Sequence, residues 1–136
     1  MLTNRKPSEN GTIDVENVAQ AILFLAGKMG LEYLFLTGGT DLAPIQDALT
    51  RFEVDKSVKT NLTPVNVPHE TVSTAMAMGY AMYTGKPAGV AVHVHVGTSN
   101  SLGNLMNARR SRVPMLLLAG RTPKTEIGHP GSRDYW

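Results

Sequence analysis

Apolar residues near the start of the chain step by three and four, at Val15, Val18, Ile22, Leu25 and Met29. That spacing predicts an amphipathic helix with one buried stripe, capped by Asp14 and stopped by Gly30. Tyr33 to Leu36 then reads as a short apolar strand. Thr37-Gly38-Gly39-Thr40-Asp41 turns the chain into a second helix through Leu49 and Phe52, with Pro44 in the first turn, where its missing N–H costs nothing. The β-branched stretch from Val58 is broken by Pro64 and ended by Pro68, which places a short strand near Pro64 to Val67. Glu70 opens a third helix with Val72, Ala75, Met76, Gly79, Tyr80 and Tyr83 on one face and Gly85-Lys86-Pro87 as its terminator. Gly89 to Val96 predicts another strand, and Ser99 or Asn100 caps a fourth helix through Arg112. Val113 to Ala119 is a continuous apolar run of the kind buried on both faces of a sheet.

Strands alternating with helices predict a doubly wound α/β fold, a mainly parallel sheet with helices on both faces. Ligands meet such sheets at the carboxyl ends of the strands. Three of those ends carry unusual residues: Gly38-Gly39, His69-Glu70 and Gly97-Thr98-Ser99-Asn100. They are expected to converge on one edge. The chain divides into a disordered leader (1–12), one α/β domain (13–121) and an irregular tail of the same domain (122–136), which contains Pro123, Gly128, Pro130 and Gly131. Ending on its only tryptophan soon after a buried strand, the chain reads as a piece of a longer protein or one subunit of a split enzyme.

Composition narrows the function. Only 18% of the 136 residues are charged, below the usual quarter, which points to a covered face. A net charge of +2 is too slight to grip nucleic acid or anionic lipid. The longest strictly apolar run, Ala21 to Ala26, is far short of the roughly 20 residues a membrane span needs. Zero cysteines exclude disulfides, thiolate metal sites and a cysteine nucleophile. With no secretory or transit signal, a cytoplasmic location is expected. No Gly-x-Gly-x-x-Gly and no Gly-x-x-x-x-Gly-Lys is present, so the chain has no self-contained phosphate cradle.

Glu70 is the first candidate for chemistry. At a strand-to-helix junction the helix dipole favours its ionised form and burial the protonated form, opposed pressures that suit a proton-sharing carboxylate. The plain alternative is a first-turn glutamate serving the dipole. Val92-His93-Val94-His95-Val96 would put two imidazoles on one strand face, a metal-ligand spacing for which His69, Glu70 or Asp41 could supply a third ligand. Hydrogen-bonded pocket histidines are the competing reading. Gly38, Gly39 and Gly97 allow positive φ or a close backbone approach. Arg109, Arg110 and Arg112 suit the end of a helix.

Taken together, Thr37-Gly38-Gly39, His69-Glu70, Gly79-Tyr80-Ala81, Gly85-Lys86-Pro87, Gly97-Thr98-Ser99-Asn100, Val113-Pro114 and Ala119-Gly120 resemble, in order and spacing, the N-terminal pyrimidine-binding domain of thiamine diphosphate enzymes. The acetolactate synthase-like branch, with its decarboxylase relatives, is the nearest group. The resemblance covers about residues 13 to 132. It implies that Glu70 hydrogen-bonds a ring nitrogen of the cofactor's aminopyrimidine and activates it in a pocket that raises the basicity of the carboxylate. It also implies that Gly38, Gly39, Val96, Gly97 and Asn100 line the cofactor site; the pair His93 and His95 is atypical of the family and is expected to face a 2-oxo acid substrate.

The family's Gly-Pro-Gly-Ala-Thr-Asn loop corresponds to His95-Val96-Gly97-Thr98-Ser99-Asn100, so Val96 stands for the proline and His95 for a glycine. Thr37 replaces a proline, Arg121 a glutamine, and a second glutamine of acetolactate synthases falls near Arg133. The resemblance places Mg²⁺ and the diphosphate in a separate domain with a Gly-Asp-Gly motif, which this chain lacks. A diphosphate-binding domain or subunit is therefore the implied partner, in a homo- or hetero-oligomer, and the chain alone is not expected to turn over substrate. Two alternatives stand beside this reading: a non-catalytic fragment or assembly subunit of the same fold, and a His-x-His metal-binding enzyme.

Overall fold

The computed structural model describes residues 15–54, 60–121 and 123–126. Strands β1 (Tyr33–Leu36), β2 (Thr63–Asn66), β3 (Ala88–Val92) and β4 (Met115–Ala119) form one sheet in the order β2-β1-β3-β4. Every pairing is parallel: Leu34 lies opposite Pro64 and Gly89, and Val90 lies opposite Phe35 and Leu117. The helices are α1 (Val18–Lys28), α2 (Ala43–Val54), α3 (Glu70–Thr84) and α4 (Val94–Arg110). Short 3-10 turns at Thr40–Leu42 and Lys124–Glu126 complete the described chain.

Side chains alternate across each strand, so the sheet divides the core in two. Leu34, Leu36 and Ala91 pack with Leu23, Ala26, Ala48, Leu49 and Phe52 of α1 and α2. Phe35, Val90 and Val92 pack with Ala77 of α3. Helices thus cover both faces, as the doubly wound pattern requires. Along β4, Leu116 and Leu118 face one cluster while Met115 and Leu117 face the other. Its apolar run serves both faces as expected, yet β4 is an edge strand among the described residues and only half-buried.

The helix faces differ from the periodicity-based expectation. Asn17 caps α1 by accepting from the Gln20 N–H at 3.0 Å, and the expected cap, Asp14, lies outside the described residues. Ala19, Leu23 and Ala26 are buried, whereas Val18, Leu25 and Met29 are exposed. Residues 21–26 are apolar all round, so two stripes compete, and the one whose Leu23 reaches the sheet wins. In α3 the buried stripe is Glu70, Ser73, Thr74, Ala77 and Ala81, and the expected face of Val72, Met76 and Tyr83 points outward. Small residues allow close approach, and their hydroxyls are satisfied: Thr74 Oγ1 donates to the Glu70 carbonyl at 2.8 Å, and the Ser73 and Thr37 hydroxyls are 3.0 Å apart. Gly85, at φ +70°, ends the helix in the left-handed conformation that glycine adopts freely.

The expected strand through Val96 stops at Val92, and α4 begins at Val94, not at Ser99 or Asn100. The helix ends at Arg110, with Arg109 and Arg110 in its last turn. No helix among the described residues is long and apolar enough to cross a membrane. The leader and most of the tail lie outside the described residues.

The α1 assignment is open to a direct check. Leu23→Ala should cost about 2–5 kcal/mol in urea unfolding, whereas Leu25→Ala should cost about 0.5 kcal/mol or less. The stripe read from periodicity requires the opposite ranking.

Candidate functional site

The carboxyl ends of β1, β2 and β3 do meet on one edge. After β2, Pro68 and His69 lead into α3. His69 is the N-cap: its Nδ1 accepts from the Thr71 N–H at 3.1 Å, and its carbonyl accepts from the N–H groups of Val72 and Ser73. Glu70, the first helical residue, is buried. Its Oε2 accepts from the Asn100 side-chain amide at 3.0 Å. Asn100 is held in turn, because Thr71 Oγ1 donates to its carbonyl at 3.0 Å. Asn104 braces the same junction, donating to the Thr71 carbonyl at 2.8 Å.

Gly97 owes its place to contact, not to a special backbone angle. A Cβ there would lie 3.1 Å from Glu70 Oε1 and 3.0 Å from Val92 Cβ. Gly97, Ser99 and Asn100 belong to α4, so the turn expected between strand and helix is helical, and the Glu70 carboxylate packs against its second turn. Val96 is half-exposed on the same helix. Gly38 lines an open cleft of about 380 Å³ with Thr37, Asn66, Val67 and Pro68.

Burial pushes the Glu70 carboxyl up, but the Asn100 hydrogen bond, a backbone hydrogen bond and the nearby His69 and His93 imidazoles outweigh it. The group is held below the ordinary carboxylate value of 4.5. The raised basicity expected from the sequence is thus overturned, because α4 supplies a hydrogen-bond donor that the expected loop was not known to aim. Glu32 is also lowered, chiefly by Lys86 and then by the Tyr80 hydroxyl, but it is exposed at the opposite end of the sheet.

The histidine pair does not survive as a metal motif. His93 is the N-cap of α4 and His95 an exposed residue of its first turn, so the two no longer share a strand face. No group of three or more potential ligands is gathered among the described residues. His93 instead pairs through Nδ1 with Asp41 Oδ1, and Asp41 Oδ2 accepts from the Val94 N–H at 3.2 Å. Asp41, expected only as a spare metal ligand, is the residue that sequence reasoning undervalued. Gly39 is extended and packs directly on His93. Arg133 lies outside the described residues.

These residues suit one half of the expected cofactor. Glu70 Oε2 takes Asn100, a carboxylate has acceptor capacity for several donors, and Gly97 keeps the space beside Oε1 clear of a side chain. An aminopyrimidine nitrogen needs that acceptor in a sheltered place. No Gly-Asp-Gly is present for a diphosphate-bound metal.

A parallel α/β domain with a sheltered helix-opening carboxylate at its carboxyl edge defines a binding domain of the doubly wound class. The chain belongs to the family described as "Thiamine pyrophosphate enzyme, N-terminal TPP binding domain", whose model matches residues 16–135. It is 36% identical over 104 residues to IlvX of Mycobacterium tuberculosis, which carries the provisional name acetolactate synthase large subunit, covering 76% of this chain and 19% of that protein. It is 40% identical over 60 residues to a benzoylformate decarboxylase of Pseudomonas aeruginosa, covering 44% of this chain and 11% of that enzyme. A solved structure from Mycobacterium smegmatis, provisionally described as a thiamin diphosphate-dependent enzyme, superposes with a TM-score of 0.66 at 29% identity over 82% of this chain and 20% of its own. The chain therefore spans about a fifth or less of the relatives it matches.

Two measurements test the site's physics. Because the folded-state value of Glu70 is depressed, its stabilisation is full above the unfolded carboxylate range and is lost as the pH falls through the folded value. The stability advantage of wild type over Glu70→Gln should accordingly grow between about pH 3 and pH 6 and then level off. Gly97→Ala should destabilise the chain by about 1–3 kcal/mol, because Val92 and Glu70 must both give way. Urea titrations of the two variants read both effects.

Proposed function

We propose that this chain is the aminopyrimidine-holding domain or subunit of an acetolactate synthase-like, thiamine diphosphate-dependent 2-oxo acid decarboxylase or carboligase. The single observation carrying the reading is the buried Glu70 carboxylate at the sheet's carboxyl edge, held ionised by Asn100 beside the cleared face of Gly97. The chemistry that bound thiamine diphosphate supplies is addition of its thiazolium carbon to the carbonyl of a 2-oxo acid.

Glu70 would hold a proton on a ring nitrogen of the bound cofactor, since an ionised carboxylate sheltered from water favours a charge-assisted hydrogen bond. Asn100 fixes the carboxylate plane, and Gly97 and Val96 of α4 would hold the ring beside it. Gly38 and Gly39 shape the end of β1 toward the cofactor. His93, on the same edge, faces the substrate, and His95 flanks it. Mg²⁺ and the diphosphate belong to a second domain or subunit.

Val72, Met76 and Tyr83 of α3 and Leu102 and Met106 of α4 are exposed, and such an apolar surface suits an oligomeric partner carrying that second half-site. The low charged fraction agrees. The lack of cysteine fits a cytoplasmic enzyme.

In the assembled enzyme that contains this domain, Glu70→Gln should slow hydrogen–deuterium exchange at the thiazolium carbon by roughly 10²–10⁴-fold, with the circular dichroism unchanged. Exchange at the wild-type rate in the folded variant overturns the assignment.

A further inference from the structure

We propose that Asp41 is a positioning residue: it fixes the His93 imidazole in the Nδ1–H tautomer and so leaves Nε2 as the lone-pair nitrogen at the carboxyl edge of the sheet. The strand order β2-β1-β3-β4 reverses direction between β1 and β3, because the chain leaves β1 for β2 on one side and β3 for β4 on the other. That reversal opens the crevice in which doubly wound sheets bind ligands. Asp41 comes from the turn after β1 and His93 directly follows β3, so the pair bridges this crevice at its base.

The pairing is built in, unlike a surface contact. The Asp41 side chain is 5% exposed and that of His93 28%, so the buried partner orients the more accessible one. Two strand-end glycines leave the space it occupies. A Cβ on Gly39 would lie 2.5 Å from His93 Nδ1 and 2.8 Å from Asp41 Oδ1, and one on Gly120 would overlap Asp41 Oδ2 at 1.5 Å. Val94, a β-branched residue at φ +25°, is held in that uncommon conformation where its N–H meets Asp41 Oδ2.

The tautomer follows from donor and acceptor counting. A carboxylate offers acceptors only, so a neutral imidazole bonded to it through Nδ1 must carry its hydrogen there and leave Nε2 bare. An imidazole oriented by a buried carboxylate is the arrangement by which histidine is prepared for proton transfer. That His93 exchanges a proton with substrate rests on the function proposed above; the tautomer itself does not.

Asp41→Asn makes a sharp test. The Val94 N–H retains the amide oxygen, which turns the amide NH₂ toward His93 Nδ1 and forces the imidazole into the Nε2–H form. Long-range ¹H–¹⁵N spectra of the full histidine-labelled chain, taken on the alkaline plateau where the ring-nitrogen shifts no longer change with pH, read each ring nitrogen. His93 is assigned by the signals lost in His93→Gln. Wild type should show a protonated Nδ1 and a bare Nε2 at His93, and the two signals should interchange in Asp41→Asn. A wild-type His93 in the Nε2–H form, or averaged between tautomers like a solvent-exposed histidine, overturns the proposal even if Asp41→Asn does not fold. So does a folded Asp41→Asn variant with the wild-type pattern. None of these outcomes depends on the cofactor, whereas failure of the Glu70 reading shows only in thiazolium exchange.

Discussion

The hydrogen bond from Asn100 to Glu70 is the constraint on which this domain's arrangement turns. Taking a carboxylate largely out of water costs several kcal/mol, and one hydrogen bond to a charged group returns about 1.5–3 kcal/mol. One bond is therefore insufficient, and the local structure reflects the shortfall. Glu70 is placed as the first residue of α3, where the helix dipole favours negative charge. For Asn100 to reach, α4 must approach α3 closely. The positions that meet there are accordingly small or polar: Gly97 packs on the Glu70 side chain, and Asn104 bonds the Thr71 carbonyl and the Thr74 hydroxyl.

The same need explains why hydrophobic periodicity found the elements but not their faces. Strand and helix order, parallel pairing and the three converging strand ends were all legible, because β-branched runs, glycine turns and Pro44 act locally. In α3 the large apolar residues lie on the outward face, and the inward face is chosen by size and by hydroxyls that can bond the preceding turn. A stripe of small residues at helical spacing, 70-73-74-77-81, was visible in the sequence and was the better guide. For α1 the sequence held two equally apolar stripes, and only packing on Leu34 and Leu36 decides between them.

The boundary after β3 was missed for a different reason. Val92-His93-Val94-His95-Val96 alternates in the way a strand does, and local propensity favours extension. The helix begins early because its first N–H finds an acceptor from another strand end, Asp41, which is 53 residues away in sequence. No local signal encodes such a contact. The one available hint was an aspartate two residues beyond a glycine pair, in a fold that brings strand ends together. Moving the boundary from Ser99 to Val94 dissolves the His-x-His face and carries Gly97 and Asn100 onto a helix.

That relocation changes what kind of site this is. Groups carried on helices and strands hold geometry more tightly than groups on loops. Glu70 and Asn100 sit on two helices, while His93 and Asp41 are locked at two strand ends by glycines that admit no side chain. Each reactive group is thus paired with a partner from a different element, and neither can turn without disturbing the packing between elements. On the proposed reading, the acid–base half of the cofactor site is preorganised within this domain. On the same reading anion binding falls to the second domain or subunit, since this sequence has a net charge of only +2 and no Gly-Asp-Gly. The division is physically sensible: the proton-handling groups need a rigid, sheltered frame, whereas a diphosphate needs a metal and can be delivered by a second surface that closes over the edge.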